Sequence, residues 1–193
     1  MEIKKIIENI SNFLVKRFIE VFGLLISVLS VLLFISLISY SPEDPNFIFP
    51  ENTEIKNILG FRGSFVSDLF FQSIGLISIL ISITLFITGG NIIRTKKFII
   101  IIKNSFYLIL YSIIASLFFT IYYPESFWLT INGNGGFVGK LLSDTFLGSI
   151  INFNKQIFYY LLSLFLFYTI LKFWHFRLFS PRHSNPTRNI FVA

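Results

Sequence analysis

Val21-Phe22-Gly23-Leu24-Leu25-Ile26-Ser27-Val28-Leu29-Ser30-Val31-Leu32-Leu33-Phe34-Ile35-Ser36-Leu37-Ile38-Ser39-Tyr40 carries no charged residue. It is bounded by Glu20 on one side and by Ser41-Pro42-Glu43-Asp44 on the other. A helix of this length rises about 30 Å, the thickness of bilayer hydrocarbon. Its Ile and Val residues favour strands in water. In lipid every backbone polar group must be satisfied within the segment, so helix is the stable form. Three more stretches follow the same pattern: about Leu69 to Thr88, about Ser105 to Tyr123 and about Ile157 to Trp174. The reading is an all-α integral membrane protein with four transmembrane helices.

Composition supports lipid as the solvent. Hydrophobic residues make up 54% of the 193 positions, charged residues 13%, and 26 residues are Phe. A soluble domain of this size needs more polar surface than that. The absence of cysteine excludes disulfides, thiol catalysis and Cys-ligated metals. The net charge of +6 follows topology rather than a nucleic-acid footprint. Lys4, Lys5, Lys16 and Arg17 precede the first span. Arg94, Lys96, Lys97 and Lys103 lie between the second and third, and Lys172, Arg177, Arg182 and Arg188 end the chain. The other two loops hold only Lys56, Arg62, Lys140 and Lys155, together with Glu43, Asp44, Glu51, Glu54, Asp68, Glu125 and Asp144. Because cytoplasmic loops are rich in Lys and Arg, both termini are expected in the cytoplasm. Tyr40, Tyr122, Tyr123 and Trp128 at outer boundaries and Trp174 at the inner one suit rings with one wet edge.

Residues 1–20 read as an amphipathic segment lying on the inner surface. Ile3, Ile6, Ile7, Ile10 and Phe13 share one helical face, while Lys4, Lys5, Glu8 and Lys16 lie elsewhere. No small-residue cleavage site follows the first span, so it is expected to be a retained anchor. The four-span region then covers 21–178, and residues 179–193 form a basic, proline-containing cytoplasmic tail or the start of a linker.

The outer loops contain a repeat. Gly60-Phe61-Arg62-Gly63-Ser64-Phe65-Val66-Ser67-Asp68-Leu69-Phe70 aligns without a gap to Gly136-Phe137-Val138-Gly139-Lys140-Leu141-Leu142-Ser143-Asp144-Thr145-Phe146, and Tyr40-Ser41-Pro42-Glu43 parallels Tyr122-Tyr123-Pro124-Glu125. The four spans are therefore expected as two repeated hairpins. Pro42 and Pro124 are expected to stop outgoing helices. Gly60, Gly63, Gly136 and Gly139 are expected to allow turns or close backbone approach. Ser67–Asp68 and Ser143–Asp144 are placed as caps of returning helices. The alternative is that these segments are interfacial helices with Phe61, Phe65 and Phe70 in lipid.

Chemistry is sparse. The spans contain no acid, and Lys103 and Lys172 lie near their ends, where they can snorkel to the surface. An ion or proton transporter normally carries an intramembrane ionisable group. His175 and His183 are the only histidines and make a poor metal site. No catalytic, cofactor-binding or metal-binding residues are therefore assigned, and no cofactor is expected. Small polar residues do recur at helical spacing: Gly23, Ser27 and Ser30; Gly75, Ser78 and Ser82; Ser112, Ser116 and Thr120. They suit packing within the bundle or, alternatively, a homo-oligomer.

The sequence Tyr40-Ser41-Pro42-Glu43-Asp44-Pro45, followed by Asn57-Ile58-Leu59-Gly60-Phe61-Arg62-Gly63, Ser67-Asp68-Leu69 and Gly75, resembles the N-terminal four-span membrane domain of FtsK/SpoIIIE-type DNA translocases. Asn134-Gly135-Gly136-Phe137-Val138-Gly139 is similar to the family's second glycine-rich outer loop. The resemblance covers roughly residues 15–178. It implies a membrane anchor in the bacterial inner membrane, acting at the division septum in cell division and chromosome partition, with membrane lipid and division-septum proteins as partners. Pro42, Asp44, Pro45, Gly60, Gly63, Asp68, Gly75, Gly136, Gly139 and Asp144 are the structural or interaction candidates. In the family a linker and a cytoplasmic ATPase follow. Nothing in this chain matches G-x-x-x-x-G-K-[ST], and Gly135 to Lys140 lacks both the spacing and the following Ser or Thr. No enzymatic activity and no direct nucleic-acid contact are therefore expected of these residues. A fragment, a split gene product and a stand-alone anchor all fit. The rival functions are a small four-helix transporter or channel, or a membrane interaction protein outside division.

Overall fold

In the computed structural model, residues 2–45, 54–126, 128–129 and 131–178 are described. Glu51 and the basic tail 179–193, including His183, fall outside them, and so do the side chains of Trp174 and His175. All regular structure among the described residues is helical. The helices are α1 (Glu2–Ile38), α2 (Gly60–Ile74), α3 (Ile77–Thr95), α4 (Ile99–Tyr122), α5 (Gly136–Ser143), α6 (Phe146–Phe153) and α7 (Lys155–Leu178). Four of them, α1, α3, α4 and α7, are long and apolar enough to cross a membrane.

Helix boundaries differ from the hydropathy reading, most of all at two places. The N-terminal segment is not a separate surface helix, because α1 runs unbroken from Glu2 to Ile38. The physical reason is the lack of any breaker. The first proline is Pro42, and the first glycine, Gly23, lies inside the helix, where it allows close packing on α3. At about 1.5 Å per residue, α1 is longer than the hydrocarbon is thick. Ile3, Ile6, Ile7, Ile10 and Phe13 remain exposed along its first half.

The second difference is at Gly75. The stretch read as one span from Leu69 to Thr88 is divided there, and the membrane-capable helix is α3. Gly75 has φ 73°, ψ −150°, a conformation that glycine reaches without a Cβ clash. Hydropathy does not register such a break, because glycine is not polar. Helix α4 likewise begins earlier than Ser105, and α7 extends past Trp174.

Helix α1 packs mainly on α3, α3 packs on α4, and α4 packs on α7. The small residues lie inside these contacts. Gly89 of α3 meets the Gly23 carbonyl and Ser27 of α1, and Ser30, Ser78, Ser82, Ser112 and Ser116 are buried. Their hydroxyls donate to backbone carbonyls, such as Ser82 to Ile79 and Ser112 to Ile109, so they cost little inside lipid. Two buried polar contacts join α3 to α4. The Tyr111 hydroxyl donates to Thr84 Oγ1 (2.8 Å), and Asn104 Nδ2 donates to Thr88 Oγ1 (3.0 Å). At the far end Glu20 of α1 accepts from Arg17 (2.6 Å) and pairs with Lys96 (2.5 Å), tying α1 to the α3–α4 turn. This basic end of the bundle lies opposite α2 and α5.

Candidate functional site

The motif residues converge at the other end of the bundle. Beyond α1 the chain turns through Ser41-Pro42-Glu43-Asp44, where the Asp44 N–H donates to the Ser41 carbonyl (3.2 Å). Pro42 suits the second position of such a turn. The Asp44 side chain, 2% exposed, accepts from the backbone N–H groups of Lys56 (2.8 Å) and Asn57 (2.9 Å). One carboxylate thus clasps both ends of the loop. Outside the clasp, the exposed Lys56 ammonium meets Glu43. That contact holds the Glu43 carboxyl below its ordinary range and the Lys56 ammonium above its own.

Asn57 is buried and spans three elements. Its Nδ2 donates to the carbonyls of Ser36 (2.9 Å) and Ser39 (3.3 Å), and its Oδ1 accepts from the Leu59 N–H (3.1 Å). Ser36 lies in the last turn of α1 and Ser39 directly follows the helix, where carbonyls lack helical partners. Asn57 therefore caps α1 from outside it. Gly63 is needed at this point, because any Cβ there would overlap the Asn57 amide. Ser36 Oγ donates to the Gly63 carbonyl (2.6 Å), and Ser64 Oγ donates to the Pro45 carbonyl (3.0 Å). Pro45, Asp44 and Ser64 are all buried.

Asp68 lies in the interior of α2 and does not cap a returning helix. The Tyr40 hydroxyl donates to its Oδ1 (3.2 Å), as does Gln72 Nε2 (3.3 Å). Tyr40 stands past the end of α1, and burial together with the adjacent Asp68 pushes its phenol up to about 12. Gln72 in turn receives Asn132 Nδ2 from the second loop, at Oε1 (3.1 Å) and at its carbonyl (3.2 Å). Polar contacts thus run from α1 through α2 into the second loop.

The second loop is held by side-chain amides and by backbone contact. Asn134 Nδ2 donates to the carbonyls of Tyr123 (2.9 Å) and Glu125 (2.7 Å), and the Asn134 carbonyl accepts from the Leu76 N–H (2.9 Å). Gly75 and Gly136, both at positive φ, meet here. A Cβ on Gly136 would lie 2.6 Å from the Gly75 nitrogen, and a Cβ on Gly75 would overlap the Asn134 carbonyl. Gly135 and Gly139 rest on Ser116 and Thr120 of α4, and Ser116 Oγ bonds the Gly135 carbonyl. Asp144 is exposed at the C-terminal end of α5, so it does not cap a helix start either. Thr145 caps α6 instead, accepting from the Leu147 N–H.

The sequence model of the 4TM region of DNA translocase FtsK/SpoIIIE matches residues 15–184, which contain this entire network. The chain belongs to that family. The DNA translocase FtsK of Bradyrhizobium diazoefficiens is 29% identical to it over 134 residues, covering 69% of this chain. The chain corresponds to 16% of that relative's length. No solved structure gives a significant match. The chain is thus a multi-pass membrane domain of the DNA-translocase type, and its match is to the membrane region rather than to a motor.

The motif residues fall into two groups. Pro42, Asp44, Pro45, Gly60, Gly63 and Asp68 gather around the first loop. Gly75, Gly136 and Gly139 gather where the two loops touch, and Asp144 joins neither. Asn57, Gln72, Asn132 and Asn134 lie outside the sequence-based set, yet they carry several of the hydrogen bonds that hold the loops. Asn57 and Asn134 stand inside the quoted motifs, three residues before Gly60 and two before Gly136, so their signal was present. Gln72 and Asn132 have no such mark.

Proposed function

We propose that this chain anchors a DNA translocase in the bacterial inner membrane, with both termini cytoplasmic, and places it at the division septum. The observation that carries the reading is the convergence of the Y-S-P-x-D-P and N-x-x-G-x-x-G residues into one hydrogen-bonded cap over α1 and α2. The polar groups of the cap among the described residues are engaged with one another. Its carboxylates accept from backbone N–H groups, a phenol and an amide, so it acts by holding shape. What it holds in place is an exposed face of α2, formed by Phe61, Phe65 and Leu69, together with Ile58 and the Glu43–Lys56 pair. This is the surface offered to lipid headgroups and division proteins. The lysine and arginine asymmetry supports the orientation.

The test exploits the absence of native cysteine. Ile58→Cys and Lys97→Cys variants are treated with a membrane-impermeant maleimide in intact spheroplasts, alongside a fluorescent fusion imaged in dividing cells. The expected result is labelling of the first variant only, and a fluorescent band at midcell. Labelling of Lys97→Cys from outside overturns the orientation. Uniform membrane fluorescence in dividing cells overturns septal placement, and solute flux after reconstitution would favour a channel instead.

A further inference from the structure

Ile3, Ile7, Ile10 and Leu14 of α1 follow one another at alternating steps of four and three residues, and all four are exposed. The same register continues through Arg17 to Val21, Leu24, Val28 and Val31, which are exposed as well. Strict alternation of this kind is a repeat of seven. It keeps one apolar seam along a helix that supercoils with a like helix. Within the span the repeat says little, because nearly every residue there is apolar. Before residue 20 it carries information, since Lys5, Glu8, Asn9, Asn12 and Lys16 all fall off the seam.

Helix α3 ends at Thr95, and the next residue, Lys96, pairs with Glu20 of α1. Residues 2–19 therefore run on past the end of α3, for about 27 Å at the helical rise. Ile3 and Leu14 are 73% and 60% exposed there. The contact with α3 uses the other side of α1, where Gly23 and Ser30 are buried and Ser27 meets Gly89. The seam can thus meet another chain while the bundle stays intact.

The helix itself favours one occupant. Laying the seam on the membrane surface requires α1 to bend near residue 20. No glycine or proline precedes Gly23, and the Glu20–Lys96 pair ties that junction to the α3–α4 turn. A second copy of the chain requires no bend. The membrane holds all copies in one orientation and at one depth, so two α1 helices meet in parallel and in register. Each seam residue then faces its own counterpart, and a run of Ile and Leu is complementary to itself. Arg17 is the charged residue on the seam between Ile3 and Val31. Its guanidinium lies over the Phe13 ring, 5.0 Å from the centroid, and pairs with Glu20 (2.6 Å), so each copy brings its own counter-charge.

We infer that α1 pairs with α1 of a second copy, in parallel and in register, as a coiled coil through Ile3, Ile7, Ile10 and Leu14. The pairing rests on copies sharing one membrane orientation. It does not depend on septal placement or on which side is cytoplasmic, so those readings can fail while this one stands.

The lack of native cysteine allows a direct test on the full chain in cell membranes. Membranes carrying Ile7→Cys, Leu14→Cys, Asn9→Cys or Asn12→Cys are oxidised with copper phenanthroline. Disulfide-linked dimer is expected to be about tenfold more abundant from the two seam positions than from the two exposed asparagine positions. Equal yields, or no dimer from the seam, overturn the proposal. With Ile10→Cys as the reporter, I7K/L14K should abolish the cross-link by facing like charges across the seam, whereas I7L/L14I should keep it. A cross-link that survives I7K/L14K overturns the pairing. A nitroxide attached to Ile10→Cys should be shielded from both oxygen and a water-soluble nickel chelate. Free access of oxygen, as in hydrocarbon, overturns the pairing and places the seam on lipid instead.

Discussion

The two loops at the α2–α5 end of the bundle share the letters G-F-x-G-x-x-x-S-D-x-F, yet they use them differently. Gly60 and Gly136 both open a helix at nearly the same positive φ, 65° and 68°. Three residues later the roles diverge. Gly63 makes room for the Asn57 amide of its own loop, whereas Gly139 makes room for Ser116 and Thr120 of the neighbouring helix α4. Asp68 is buried and accepts from Tyr40 and Gln72, while Asp144 is exposed at a helix end. The first loop is therefore closed by a buried carboxylate and amide, whereas the second combines side-chain amides with close glycine backbone packing. The lesson is that matching residues fix local backbone shape, but the surroundings decide what each side chain does.

The comparison predicts its largest effect where the loops meet. Gly136→Val places a branched side chain at positive φ against the backbone of Gly75. It should destabilise the bundle by about 3 kcal/mol or more, or prevent folding altogether. Chemical denaturation in detergent micelles reads the first outcome and expression yield the second, and a tolerated valine would mean that the loops are not in backbone contact. Next comes the clasp of the first loop. Asp44→Ala strands the buried N–H of Asn57 and the part-buried N–H of Lys56, with an expected cost of about 1–3 kcal/mol, and Asp44→Asn should recover part of it. A loss of under 1 kcal/mol for the alanine would mean that the loop is not closed by this carboxylate.

The aspartates then give a direct contrast. Asp68→Asn should destabilise measurably, because a buried acceptor of two donors is altered. Asp144→Asn should fall within about 0.5 kcal/mol of wild type. Equal effects at both sites would erase the distinction between the loops. The smallest effect is a pH one. The Tyr40 phenol is raised from 10 to about 12, so its contribution to stability is fully present below pH 10 and declines as pH rises toward 12. A difference titration of wild type against Tyr40→Phe should place the missing phenol near that upper value, and the same difference in an Asp68→Asn background should lie lower. An unshifted Tyr40 would place the hydroxyl outside the network.

Much of this was legible in the chain itself. The four apolar stretches named the spans, because lipid leaves an uncharged stretch of that length little alternative to a helix. The quoted motifs pointed to the family, and the small residues marked the faces where helices meet. The break at Gly75 and the unbroken course of α1 through residue 20 depend on backbone conformation, which hydropathy does not encode. Asp68 and Asp144 have matching neighbours in sequence, which predicts the same capping role for both. Only their neighbours in space distinguish them.

The sequence alone determined the solvent of this protein, its helical class and the number of its spans, since these follow from how many consecutive residues can avoid water. The tertiary structure alone decided which glycines touch which backbones and which carboxylate is buried. Those outcomes depend on residues far apart in the chain arriving within a few ångströms of one another, which no local pattern specifies.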